Sequence, residues 1–505
     1  MATGVSVISA MMRFPWALRS RLTIIGLLPE QKIKKLFPRQ TLQSLDAVTM
    51  TAEAMDDYTI SELSQRLRRK EISSVEIMRE CLARVEKRNV SLNAFITVMS
   101  ESALAGARAA DEAMARGEWR GPLHGVPVAI KDLIDVAGEK TTAASALYKD
   151  RIAKEDAEVV RRLRQAGAVL IGKNNLHEFA YGGSSLISNY GEVRNPRDEK
   201  RIAGGSSGGS AAAVVAEMAL AAIGTDTAGS IREPAALCGC VGLKPTYGRV
   251  SARGVIPLSA SLDHVGPLTA SVADAAAVLQ AIAGYDPADI TSANVPVADY
   301  VSGLNESVKS LRVGVPREYF FEDLDVEVAS AVEEAMGVIR GLVSEVKDVR
   351  LDVPTDRTLQ AAESWAVHRE NVERSPELYQ AETLRRLRTG EGISAAEYVQ
   401  RRRELEEARR TIGAVFAEVD VVVTPTAPIT APTIAELKAS PDQLRPAELR
   451  LLRNTRPFNV WGLPAISVPG GFTKGGLPIG LQIAGAHWRE DLVLRMARAY
   501  EQGTE

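Results

Sequence analysis

From Thr59 onward, apolar residues return at helical spacing. Thr59-Ile60-Ser61-Glu62 and Ser73-Ser74-Val75-Glu76 each set a hydroxyl and an acid three positions apart, the form of a capping box. The second predicts a helix in which Val75, Ile77, Met78, Cys81, Leu82 and Val85 share one face. Another helix is predicted from Ser102 to Arg116. The period then shortens: Val126 to Ile130 is an apolar run ending on Lys131. A helix from about Asp156, a stop at Gly167 and a strand from Ala168 to Ile171 follow. Further strands are predicted in Leu311–Pro316, Val349–Pro354, Val419–Thr426, 465–471 and 478–485, with helices after Asp325 and from Glu490. Alternation of this kind predicts an α/β fold, a mixed central β-sheet flanked by helices on both faces. The stretch Leu359–Arg410 interleaves charges of both signs, as in RRRELEEARR, which predicts a solvated helical face and not a nucleic-acid surface.

Composition narrows the picture only a little. The chain has 505 residues, 45% hydrophobic and 25% charged, with a net charge of −3, so no long-range field favours nucleic acid or anionic membrane. Three scattered cysteines give no disulfide framework and favour a reducing, cytoplasmic setting. The five histidines never fall at metal-ligand spacing, so no metal and no cofactor is expected. Residues 1–55 differ from the rest. Arg13, Arg19, Arg21, Lys32, Lys34, Lys35 and Arg39 stand there with Glu30 as the only acid before Asp46, and the apolar Leu22–Pro29 is far short of a span of about 20 residues. This reads as a basic N-terminal extension before a catalytic domain over residues 56–505. Two readings of it stay open, a peripheral or disordered tail and an amphipathic segment lying on a membrane or partner. No stable membrane insertion is expected.

The chemistry concentrates in Ala203–Arg232, AGGSSGGSAAAVVAEMALAAIGTDTAGSIR. Gly204, Gly205, Gly208 and Gly209 surround Ser206 and Ser207 and open a helix, which fits neither a linker nor a phosphate loop lacking its Gly-Lys-Ser/Thr. Gly204-x-Ser206-x-Gly208 matches a nucleophile elbow, which would make Ser206 the nucleophile of an α/β-hydrolase with a downstream acid and histidine. The competing centre is Gly224–Arg232. There the small residues before Ser230 can turn main-chain amides toward one point, as an oxyanion hole requires, and Asp226 and Arg232 bracket the turn.

GVPVAIKD around Lys131, AGGSSGGS around Ser206, GTDTAGSIR around Ser230, CGCVGLKPTYGRVS and LDHVGPLT together resemble the amidase signature family. The likeness runs from about Ile60 to Tyr500. It implies the amidase signature fold and a Ser-cis-Ser-Lys triad: Ser230 as nucleophile, Ser206 as the bridging serine on a cis peptide, Lys131 as base. It further implies oxyanion amides from Thr227, Ala228, Gly229 and Ser230, with Ser207, Asp226 and Arg232 in support. A lysine serving as base near neutrality must lose most of its usual basicity, which burial at a strand end can bring about.

Within the resemblance, two activities compete. One is a stand-alone amidase cleaving small linear amides, aryl amides, esters or carbamates through a serine acyl-enzyme. The other is the glutaminase subunit of a tRNA-dependent amidotransferase, which passes ammonia to a partner. That component carries an acid before GLPAISVP to hold the amino group of glutamine, and Leu451–Pro469 contains no Asp or Glu. Phe458 and Trp461 predict a more apolar surround there. The expectation is therefore a stand-alone hydrolase of a small-molecule amide, with no direct nucleic-acid partner and homodimerisation left open. A non-catalytic binding module would have lost Lys131 or a serine, and neither is lost.

Overall fold

The structure, a computed structural model, describes residues 59–439 and 441–504; the extension expected over residues 1–55 lies outside them. Both capping boxes form. Thr59 starts a helix at Ile60–Arg68, and Ser73 starts one at Ser74–Leu92, each with its Glu reaching back to the cap. The next helix is Ser100–Ala115.

The described strands in chain order are β1 (Phe95–Val98), β2 (Pro127–Lys131), β3 (Val169–Asn174), β4 (Arg194–Asn195), β5 (Asp198–Ile202), β6 (Ala221–Asp226) and β7 (Val241–Lys244). They continue with β8 (His264–Thr269), β9 (Arg312–Val315), β10 (Glu345–Asp348), β11 (Val421–Pro425), β12 (Ala465–Phe472) and β13 (Pro478–Gly485). Eleven of them make one sheet in the order β1-β3-β2-β6-β8-β7-β12-β13-β11-β9-β10, while β4 and β5 pair separately. The pairing is mixed: β3, β2 and β6 run parallel, β6 through β11 pair antiparallel, and β11, β9 and β10 are parallel again. Every residue of β2, β3, β6, β7, β8, β11 and β13 is buried. Helices on the two faces of the sheet account for that, as the continuous apolar runs predict.

Two local expectations shift. The strand expected at Val349–Pro354 lies one step earlier, at Glu345–Asp348, because that segment is the one hydrogen-bonded alongside β9. This edge strand alternates charges, and its Lys347 and Asp348 reach Glu418 and Arg317. Phe458 and Trp461, expected near a substrate pocket, are each 1% exposed and pack with Phe320, Leu463 and Ala465 in a separate apolar cluster.

One contact fixes where the Gly/Ser turn sits. The helix Gly208–Val215 enters against Asn175 and Ala94 so closely that a Cβ on Gly209 would lie 2.6 Å from the Ala94 carbonyl oxygen and 2.8 Å from the Asn175 amide nitrogen. Backbone cannot yield as a side chain can. Gly209→Ala is therefore expected to lower stability by about 1–3 kcal/mol, read as a fall in the thermal midpoint with a parallel loss of activity.

Candidate active site

Strand pairing brings the distant motifs together. β2 and β6 run side by side with Ile130 opposite Ile223, so Lys131 leaves β2 beside the end of β6. The turn carrying Ser206 and Ser207 lies over the same strand ends, with a cis peptide between Gly205 and Ser206. Lys131 is fully buried, and its Nζ donates to Ser206 Oγ at 2.7 Å, Ser207 Oγ at 2.8 Å and Thr225 Oγ1 at 2.9 Å. Three neutral oxygens solvate it poorly compared with water. Burial pushes its pKa from 10.5 down to about 7, partly opposed by the charges of Asp226 and Asp263.

Ser207 is fixed twice over. Its hydroxyl donates to the Thr225 carbonyl at 3.1 Å, and its amide donates to the Ser230 carbonyl at 3.1 Å. That second bond ties the two serine turns together. Ser230 is 4% exposed and lines a narrow cleft with Thr227 and Ala228. Its hydroxyl and that of Ser206 form no hydrogen bond with each other.

The turn after β6 is organised by one carboxylate. Asp226 accepts from the amides of Gly229 at 2.7 Å and Ile231 at 3.1 Å, and from Arg232 Nε at 3.0 Å and Nη2 at 2.9 Å. Asn459 Nδ2 adds a bond of 2.8 Å. Burial by itself would raise the Asp226 pKa, but the charge and hydrogen bonds of Arg232, with Lys244 and Asn459, hold it well below the usual carboxylate range. The consequence for the amides expected to face an oxyanion is uneven. The Gly229 amide is committed to Asp226, whereas those of Thr227, Ala228 and Ser230 have no hydrogen-bond partner among the described residues. Gly229 has φ +132°, and a Cβ there would run into Thr455, so only glycine fits this bend. Asp263 anchors the other side, accepting from Thr227 Oγ1 at 2.5 Å and from the Leu258 and Ser259 amides at 2.9 and 3.0 Å.

The α/β-hydrolase arrangement is not formed. No histidine hydrogen-bonds Ser206 or Ser230 among the described residues: His264 Nδ1 faces the carbonyls of Leu262 and Asp226, and His177 faces Ser184, Glu448 and Arg386. Lys173 is held structurally by Asp132, the Lys140 carbonyl and Thr141.

The family model described as Amidase matches residues 76–494. The chain belongs to the amidase signature family. This amidase is an enzyme of C–N bond hydrolysis. It is 43% identical over 477 residues to the A subunit of glutamyl-tRNA(Gln) amidotransferase from Geobacter metallireducens, covering 89% of this chain and 97% of that one. The structure of the same protein from Thermotoga maritima is 36% identical with a TM-score of 0.73, covering 88% of this chain and 94% of that one. The peptide amidase of Stenotrophomonas maltophilia is 32% identical with a TM-score of 0.76, covering 89% and 97%.

These relatives correct two expectations. The stand-alone hydrolase of small linear amides gives way, since glutamyl-tRNA(Gln) amidotransferase subunits match at 42–43% identity over nearly their whole length. The partner expectation gives way with it: a small-molecule amide with no direct nucleic-acid partner does not describe relatives named as components of a tRNA amidotransferase. Among the described residues no helix is long and apolar enough to cross a membrane.

Some site residues escaped the sequence. Asn459 and Thr455 reach the site only through chain reversal, which no spacing announces, whereas Thr225 stands within GTDTAGSIR without its bond to Lys131 being visible there. Asp263 stands within LDHVGPLT, so a signal for it existed. The cleft beyond Ser230 is lined by Tyr181, Arg357, Gln360, Arg445 and Leu452. Of these, Arg357 and Gln360 come from the segment that opens the helix Thr358–Arg374.

Arg232 is fully buried and shares its charge with Asp226 alone among the described residues. Asp226→Ala would strand that guanidinium, so a loss of about 3–5 kcal/mol is expected in urea denaturation, with Asp226→Asn losing less.

Proposed function

We propose that this chain is the amide-hydrolysing subunit of a tRNA-dependent amidotransferase, releasing ammonia from glutamine through an acyl-enzyme on Ser230. The supporting observation is the buried lysine with a pKa near 7, hydrogen-bonded at 2.7 Å to a serine, beside a second serine flanked by unpaired amides. The choice of assembly rests on the likeness to the A subunits of glutamyl-tRNA(Gln) amidotransferases over almost their full length.

The proton path follows from donor and acceptor counts. A neutral lysine amine has two N–H donors and one lone pair. Ser207 points its hydroxyl hydrogen at the Thr225 carbonyl, so toward Lys131 it can only accept. The amine's two donors serve Ser207 and Thr225, and its lone pair takes the Ser206 proton. Ser206 in turn takes the proton of Ser230 as Ser230 attacks the amide carbon. This step needs Ser230 Oγ to swing within hydrogen-bond reach of Ser206, a rotamer change that bound substrate can select. The amides of Thr227, Ala228 and Ser230 meet the developing oxyanion, with Gly229 holding their arc through Asp226. As the tetrahedral adduct collapses, the proton returns through Ser206 to the leaving nitrogen and ammonia departs. Water, deprotonated along the same relay, then releases the acid. The reaction needs no redox partner. The catalytic domain over residues 56–505, the basic extension over 1–55 and a cytoplasmic setting complete the proposal.

Two measurements test it. Ammonia release from glutamine is expected to rise at least about tenfold when the other amidotransferase subunits and glutamyl-tRNA are added, and Ser230→Ala or Lys131→Ala is expected to cost about 10³-fold or more. Full turnover of aryl amides by the isolated chain, with no response to those additions, would overturn the assembly. The pH profile is a separate check. Since the neutral amine is the active form, kcat/KM should climb as pH rises through about 7 and level off above it.

A further inference from the structure

The cleft beyond Ser230 has a charge that the catalytic relay does not use. Arg357 lines it from the start of the helix Thr358–Arg374, and its guanidinium has no hydrogen-bonding or ionic partner among the described residues. It is held in place through its backbone neighbour, because Arg456 donates to the carbonyls of Pro354 and Asp356. Arg357 is half-buried, and loss of solvation, then the charges of Arg456 and Arg445, push its guanidinium below its usual pKa. Arg445 lines the same cleft, lies 5.8 Å over the Tyr181 ring and reaches Glu448 only at 3.7 Å.

Among the described residues no aspartate or glutamate lines the cleft. The carboxylates around it are engaged elsewhere: Glu448 by Arg386 at 2.7 Å and Ser184 at 2.6 Å, Asp263 by Thr227, and Glu363 by Ser259 and Ser261. The lining also holds a neutral acceptor, Gln360 Oε1, which is buried without a partner and can take a carboxamide N–H.

We infer that this cleft reads the carboxylate at the far end of the substrate's acyl group through Arg357 and Arg445, and does not read an amino group beside it. The inference rests on Ser230 being the attacking group. An α-ammonium entering there meets two guanidinium groups and no carboxylate, so it weakens binding. The favoured acyl group is a monoamide of a dicarboxylic acid. Glutamine fits by its carboxylate and in spite of its ammonium.

The test measures binding to the full-length Ser230→Ala chain by calorimetry, which separates recognition from turnover. The probes are 4-carbamoylbutanoate, glutamine and pentanamide; the first is glutamine without its amino group, the last replaces the carboxylate by a methyl. A charge-assisted contact is worth about 10- to 100-fold in affinity. 4-Carbamoylbutanoate is expected to bind at least tenfold tighter than pentanamide and at least threefold tighter than glutamine. Arg357→Gln, with its thermal midpoint checked, should shrink the first ratio about tenfold, and Arg357→Lys should restore part of it. The inference is overturned if pentanamide binds as tightly, if glutamine binds tighter than its desamino analogue, if Arg357→Gln leaves the ratio unmoved, or if none of the three binds. Ammonia release that still depends on Ser230 would, in any of those cases, leave the nucleophile standing.

Discussion

The buried pair of Asp226 and Arg232 is the constraint on which the site depends. Both side chains are shut off from water, and a lone charge in that position would be intolerable, so the two must face each other. Their remaining valences then pull in the surroundings. Arg232 reaches Gln482 on β13 at 2.6 Å, Asn459 at 2.7 Å and the Thr455 carbonyl at 2.9 Å. Asp226 curls the following turn around its carboxylate. A single ion pair thus sets the bend at Ser230 relative to both halves of the sheet, and the arc of free amides is its by-product.

The second half of the site is a solvation problem. Lys131 ends a strand whose every residue is buried, and only three hydroxyl oxygens replace its water. That substitution is strong enough to keep the side chain inside and too weak to keep it charged near neutrality. Adding a carboxylate would hold the lysine protonated, and removing the hydroxyls would leave it unsatisfied. The Asp226 and Asp263 carboxylates oppose the shift without touching the amine, since each is tied to other donors.

What the sequence makes legible is local. Capping boxes, the Gly/Ser turn, the strand ending on Lys131 and the small-residue turn before Ser230 all depend on residues a few positions apart. The contacts those residues make come from across the chain: Lys131 meets Thr225 from a parallel neighbour strand, and Asn459 and Thr455 arrive from a segment more than two hundred positions away. Pairing of that range leaves no periodic trace. Phe458 and Trp461 illustrate a different limit. Their apolar character is visible, but which side of the chain they pack on is not, and they serve a core and not the cleft. The missing acid in Leu451–Pro469 points by itself to another enzyme, whereas the relatives' identity extends over nearly the whole chain. One absent pocket group says how a ligand is held, and little about the assembly around it.

The strand Glu345–Asp348 closes the far side of the sheet with charges at three of its four positions. A bare strand margin invites a second chain to pair along it, and charged side chains there penalise the stacking such growth requires. The eleven-stranded sheet thus ends on that flank with a strand whose charges oppose further growth. Strand addition along this flank is thereby disfavoured relative to contacts made through side chains.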